Sequence, residues 1–301
     1  MKKVILSIAF AMAACLCANA QVKQYTHDLT PFSAIDVANE FEVSVVTGET
    51  FSVVLSVDEP YRDYVNCVVS GNTLNISVDE KKVPADVKKL YKGKGVTPPT
   101  FRAAVSLPGK LESVSLHDKA VFFEAKGMMA NDNVSVTLTD NAQIKTMDID
   151  ANSVNVSLDK KSSANIVVNC DNLNISVAGS SNLNVEQSSK NSDIKLQGSC
   201  NISVNGVCEI LKLNTKGSSK ATLVGNANEV EYVCAGSSST NAMMLVTDNA
   251  NINMTGSCNL SEAASKNVKL TLANGATLTY AGQPAFDIDS IKSSSVIKGG
   301  K

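Results

Sequence analysis

Apolar and polar residues alternate in short runs along most of the chain, and the runs return at a nearly fixed interval. The interval is marked by Gly-Ser followed by Ser or Cys, with its glycines at Gly179, Gly198, Gly217, Gly236 and Gly256. Asp118, Asp140, Lys160 and Asn274 hold the same place in weaker copies. Nine copies thus follow one another at steps of 22, 20, 19, 19, 19, 19, 20 and 18 residues. Four and two residues before each anchor stand apolar pairs such as Val156/Leu158, Ile175/Val177, Ile194/Leu196 and Ile252/Met254, with Thr215 the plainly polar exception. The residue between the two is polar except at Val233. Alternation at period two is the pattern of a half-buried strand. A second apolar column, including Phe122, Ile144, Leu183, Ile202 and Leu278, lies four residues after the anchors and predicts a second strand.

Each unit therefore reads as strand, tight corner, strand and a return segment of variable length. No helix-period stretch lies between units, so equivalent strands must stack in parallel about 4.8 Å apart. The expected fold is all-β: a single-stranded right-handed parallel β-helix of about nine coils of ~19 residues, with inward side chains filling a continuous core. A left-handed hexapeptide helix would carry a strict six-residue pattern, which this chain lacks. Glycine suits a corner that needs positive φ. Serine follows it in five consecutive copies, and the next residue is always small: Ala, Ser or Cys. The serine hydroxyls are expected to bond backbone groups left unpaired by the bend. A nucleophilic serine array would need a base beside it, and the pattern supplies none.

The remaining segments divide the chain. Residues 21–100 are expected to form a β-rich N-terminal cap, with turns at Thr47-Gly48 and Ser70-Gly71 and an irregular Lys/Pro/Gly-rich surface excursion over 81–99. The coils proper are expected over 101–289, and a frayed or edge-protecting tail over 290–301. Residues 1–20 read as a secretory signal peptide: Lys2 and Lys3, an apolar run from Val4 to Leu16, and Ala18-Asn19-Ala20 before the expected cut. Lipidation at Cys15 is the competing reading, since Met12-Ala13-Ala14-Cys15 loosely resembles a lipobox. The apolar run is too short to span a bilayer, and no later run is long enough.

With the leader go two of the 27 basic side chains, against 29 acids, so the exported chain carries a net charge of −4. No concentrated basic face points to nucleic acid. Six cysteines remain: Cys67, Cys170, Cys200, Cys208, Cys234 and Cys258. An even number in an exported chain suggests disulfides, but the repeat sets Cys200 and Cys258 three coils apart, roughly 14 Å. Most read as small buried apolar groups, with Cys200–Cys208 the one pairing left open. His27 and His117 lack the companions of a zinc site, and His117 reads as a solvated turn residue. Asp148/Asp150 and Asp287/Asp289 each share a strand face, where solvation outweighs a weak calcium contact. Lys88, Lys89, Lys92 and Lys94 read as loop solvation.

The order and spacing of "FSAIDVANEFEVSVVTGE", "VSGNTLNISV", "VSLPGKLESVSLHDKA" and the Gly-Ser coils resemble the auto-transporter adhesin head GIN domain family of exported Bacteroidetes proteins, over roughly residues 32–282. Two departures are the insertion at Lys81–Pro99 and Asp118-Lys119 in place of Gly-Ser at the first corner. The resemblance implies an exported β-helix engaged in adhesion or envelope structure, and it brings no catalytic motif. The expected function is accordingly a non-enzymatic, adhesin-like binding or structural module in the periplasm, on the outer-membrane surface or outside the cell. Its partner would be a glycan or a cell-surface or matrix protein; no catalytic, cofactor or metal residues are expected. The alternative is a polysaccharide lyase or glycoside hydrolase on the same scaffold. Zero tryptophans and the lack of an evident carboxylate pair weigh against that alternative.

Overall fold

The computed structural model of the chain describes residues 22–124, 127 and 129–299. The expected signal peptide, and with it the choice between cleavage after Ala20 and lipidation at Cys15, lies outside the described residues. The protein is a β-solenoid of about 10 turns with about 19 residues per turn. Its regular body consists of β11 (Gln143–Leu158), β12 (Ser163–Gly179), β13 (Asn182–Gly198), β14 (Asn201–Gly217), β15 (Lys220–Gly236), β16 (Ser239–Gly256) and β17 (Asn259–Ala273). Each pairs in parallel with the next. Ile175 stands on Ile194 and Ile194 on Leu213, as the repeat predicts, and Tyr232, Ile252 and Leu270 continue the column. All of these side chains are buried, as is the second column from Phe122 to Leu278.

The return segments are more ordered than expected. In β12 to β15 strand runs unbroken for 17 residues from one corner to the next, so the strand is interrupted only at the anchor. Every anchor has positive φ, including the non-glycines Asp118, Asp140, Lys160 and Asn274 at 58° to 66°. Asn and Asp tolerate this left-handed backbone better than other L-residues. At Gly198 a second constraint acts: a Cβ would lie 2.7 Å from the carbonyl oxygen of Gly179 in the coil before. That carbonyl accepts the Ser199 N–H at 2.7 Å, and the Gly198 carbonyl accepts the Ser218 N–H at 2.8 Å. The backbone ladder thus runs straight through the corner.

It is therefore the serine amides, with their side chains turned to solvent, that satisfy the bend. The polar group that does bond back belongs to the small residue after the serine position. Ser162 Oγ donates to the Asp159 carbonyl at 2.7 Å and Ser219 Oγ to that of Lys216 at 3.4 Å, while the Cys200 and Cys258 thiols make weaker contacts of the same kind. These residues are buried, which is why they are always small.

A bend that the repeat does not announce lies at Gly206 and Gly225, stacked on each other with φ of 144° and 121°. A Cβ on Gly225 would sit 1.8 Å from the Gly206 carbonyl oxygen. Backbone cannot yield as a side-chain tip can, so Gly225→Ala should destabilise the protein by about 2 kcal/mol or more, read as a lowered urea midpoint. Gly275→Ala is the comparison, because its Cβ would meet nothing within 4 Å although its φ is also positive.

At the N-terminal end the chain builds β1 (Val22–Asp28), β2 (Ala34–Val37), β3 (Glu42–Thr47), β4 (Ser52–Asp58), β5 (Val65–Ser70), β6 (Thr73–Val78), β7 (Phe101–Leu107), β8 (Ser113–Leu116), β9 (Val121–Glu124) and β10 (Asn133–Leu138). β2 and β3 belong to the stack itself. They lie parallel on β8 and β9, with Asn39 (φ 66°) forming a corner above Asp118. The antiparallel pairs β1–β4, β4–β7 and β5–β6 close this end. Over 81–99 the chain is less irregular than expected: Ala85–Leu90 forms a short helix, α1, and Val83 is buried. The Tyr61 ring, on a 3₁₀ turn over Glu59–Tyr64, packs edge-on against Phe101 and Tyr91 and closes the lumen.

At the other end β18 (Thr277–Ala281) follows β17. β19 (Ala285–Ile291) pairs in parallel with β17, and the tail over 290–301, expected to be frayed or edge-protecting, holds ordered strand, with β20 (Val296–Gly299) parallel to β18. Ser293 and Ser294, both at positive φ, supply the corner between them.

Candidate functional site

The outward face of the coils is a set of polar rows. Where asparagines occupy equivalent places in successive coils, each Nδ2 donates to the Oδ1 one coil earlier: Asn174 to Asn155 at 3.2 Å, Asn184 to Asn165 at 2.8 Å, Asn201 to Asn182 at 2.9 Å and Asn267 to Asn249 at 2.8 Å. One bond per pair leaves further amide donors and acceptors facing solvent at the coil spacing. The Asn165–Asn184 pair lies in a trough of about 410 Å³, which Glu186, Ser203, Asn205 and Asp148 also line. Strand alternation places these side chains, and the stacking of equivalent positions makes the row.

A larger groove of about 810 Å³ lies over the return segments and is lined by Glu112, Asp132 and Asp150 together with five asparagines and alanines of 130–152. Its acids are already engaged. Asp132 accepts from Asn152 at 3.1 Å, Asp150 from Asn169 at 3.2 Å and Glu112 from Ser33 at 2.8 Å. Asp148 and Asp150 share one strand, as expected, yet among the described residues no group of three His, Cys, Asp or Glu side chains is placed to hold a metal. Asp289 pairs with Lys269 at 3.3 Å, and Lys88 with the Glu80 carbonyl at 2.6 Å.

His117 differs from its expected role as a solvated turn residue. It is half-buried and joins three coils: Nδ1 lies 3.1 Å from Thr139 Oγ1 and Nε2 lies 3.4 Å from Asp36 Oδ2. The sequence hides this because Asp36 is 81 residues away. All six cysteines of the described chain are free thiols, Cys200 and Cys208 included. Burial pushes the thiols of Cys170, Cys208 and Cys234 up to about 11, so they stay protonated and unreactive.

The polar exception Thr215 is resolved inside the lumen, where its hydroxyl meets that of Ser238 at 2.8 Å. The lumen also holds an acid that the repeat does not single out. Glu262 is 1% exposed, in an inward column whose other members include Val185, Val204 and Leu223. Its Oε2 accepts a hydrogen bond from the Tyr232 hydroxyl. Burial pushes its carboxyl up to about 7, against the opposing pull of the Tyr232 and Thr247 hydroxyls. The signal was present: Leu260 faces inward, and period two carries Glu262 to the same side.

The sequence pattern of the family described as "Putative auto-transporter adhesin, head GIN domain" matches residues 31–207 and again 178–284, most of the chain. The chain belongs to this family. Several solved structures are similar to it at low identity. A "putative adhesin" from Parabacteroides merdae ATCC 43184 is 18% identical, with 94% of this chain and 98% of that chain covered at a TM-score of 0.50. A "putative lipid binding protein" from Parabacteroides distasonis ATCC 8503 is 16% identical over 94% and 98% of the two chains, with a TM-score of 0.49. A "putative adhesin" from the same organism is 18% identical over 93% and 97%, with a TM-score of 0.48. Comparison with curated proteins found no match.

Proposed function

We propose that this head GIN protein is an exported, non-enzymatic adhesin-like module of the cell envelope or surface, and that it binds a repetitive polar partner, a glycan or a matrix protein, along its outer β-face. The asparagine rows carry this reading. They present amide groups at a fixed spacing of about 4.8 Å on a rigid coil, which suits a partner that repeats its own hydroxyl or amide groups. The exported location rests on the leader pattern of residues 1–20 and on family membership.

The glycan-cleaving alternative finds little support. Among the described residues the one carboxyl whose pKa is raised, Glu262, is sealed in the lumen away from any substrate. The largest of the described surface grooves holds Asp132, Asp150 and Glu112, each paired with an amide or a hydroxyl.

The test is binding of the leader-free protein to glycan and matrix-protein arrays, alongside Asn165→Lys/Asn184→Lys. Both positions are solvent-facing, so the melting temperature should hold while retained binding falls at least about tenfold, as for removal of a central polar contact. Cleavage of any polysaccharide in the same panel would overturn the non-enzymatic reading. Binding to nothing on the arrays would overturn the adhesin reading in favour of an inert spacer.

A further inference from the structure

The two ends of the solenoid are finished differently. At the N-terminal end the lumen is closed by Tyr61, Phe101 and antiparallel strands. At the other end the last coil has nothing laid on it among the described residues. β19 pairs with β17 alone and β20 with β18 alone, so one edge of each strand is open. Lumen side chains are open too: Ile288, which stands on Leu270, and Ile291, on Leu272, are 48% and 43% exposed, whereas the residues beneath them are fully buried.

Charged residues often guard an exposed edge against pairing, and Asp287 and Lys298 could be read so. Guarding does not account for the open core, however, and the placement of these charges suits a different role. A two-fold axis through the Ser293–Ser294 corner would lay β19 of one copy on β20 of another. Because β19 runs toward the corner and β20 away from it, the two would meet antiparallel. In the register that sets Ile288 opposite Ile297, two inward side chains meet across the end. Asp287 then faces Lys298 on the outer surface, and Phe286 faces Gly299, which leaves room for the ring. Directly opposed residues of an antiparallel pair share a face, and all three pairings obey that rule. Each pairing also occurs twice, as an isologous contact requires.

We propose that the last coil is the contact surface for a second copy of this chain, joined tail to tail by antiparallel pairing of β19 with β20. Parallel stacking gives way to antiparallel pairing at the junction, as it does at the N-terminal end, and the two lumens become one core closed at both far ends.

Sedimentation equilibrium of the leader-free chain over roughly 1–100 µM should give a dimer, the range in which an interface of modest size is populated. Ile288→Lys should give monomer with an unchanged circular-dichroism spectrum. Asp287→Lys and Lys298→Asp should each raise the dimer Kd at least about tenfold, and the double swap should return it close to the parent value. A monomer at every concentration would overturn the proposal. So would a dimer indifferent to Ile288→Lys and to both charge changes, because its contact would then lie elsewhere.

Discussion

Leu196→Asp should lower stability by about 5 kcal/mol: roughly 1.5–3 kcal/mol of lost apolar burial plus the cost of an unpaired charge in an apolar interior. Leu196 is buried in the lumen, where Val177 of the coil before and Thr215 of the coil after are its neighbours. Val177 offers neither charge nor donor, and the single Thr215 hydroxyl, already engaged with Ser238, does not offset a buried carboxylate. Ser199→Ala, three residues along, changes a side chain that faces solvent while keeping the amide that donates to Gly179. It should stay within about 0.5 kcal/mol. Urea unfolding followed by circular dichroism gives both values. Equal shifts for the two variants would contradict the inward and outward assignments.

The second large effect is one of pH. The carboxyl of Glu262 ordinarily titrates at 4.5 and is raised to about 7 in the folded protein, chiefly by burial. Between those two values the unfolded chain releases a proton that the folded chain keeps, so stability falls as pH rises. The contribution is fully present below pH 4.5 and is lost as the pH passes through about 7. The loss is on the order of 3 kcal/mol at 1.36 kcal/mol per pKa unit. The groups around Glu262 do not reverse the sign. Tyr232, on β15, is itself held protonated by burial and by the Glu262 charge, and the Cys234 thiol, on the same strand, is pushed up to about 11. Thr247 on β16 contributes an uncharged hydroxyl. Unfolding free energies from pH 4 to 8 should therefore slope downward between pH 4.5 and about 7, and Glu262→Gln should flatten that part of the curve. The same slope in both proteins would remove Glu262 as its source.

Much of the fold was legible because the solenoid repeats one physical decision. Once Ile175, Ile194 and Leu213 are read as inward, the stacking, the corners at the glycines and the small residues beyond them follow from steric room alone. The register bears this out residue by residue. Where the repeat is interrupted, the sequence says less about the fold. β2 and β3 read as part of a cap because 79 residues separate Asn39 from the Asp118 corner against which it packs. The last corner comes at Ser293, a full repeat after Asn274, but without a glycine to mark it. Residues of α1 are rich in lysine and lie beside Gly and Pro, so Val83 and Tyr91 gave no sign that they would pack on the end of the core. The outward rows were visible as polar alternation, whereas the bonds between asparagines of neighbouring coils required knowing which positions stack. Glu262 was overlooked because a charge in an otherwise apolar column runs against the rule used to find the column.

Spin labels on one outward column measure that stacking directly. Asn155, Asn174, Asp193, Lys212, Glu231, Asn251 and Lys269 occupy equivalent places in successive coils. Labels at Asn155 and Glu231 should lie four coil spacings apart, about 19 Å between backbones, and labels at Asn155 and Lys269 six, about 29 Å. The difference of about 10 Å between the two pairs is independent of label length and is the expected result. Two distances that fail to grow in step with the number of intervening coils would contradict the solenoid.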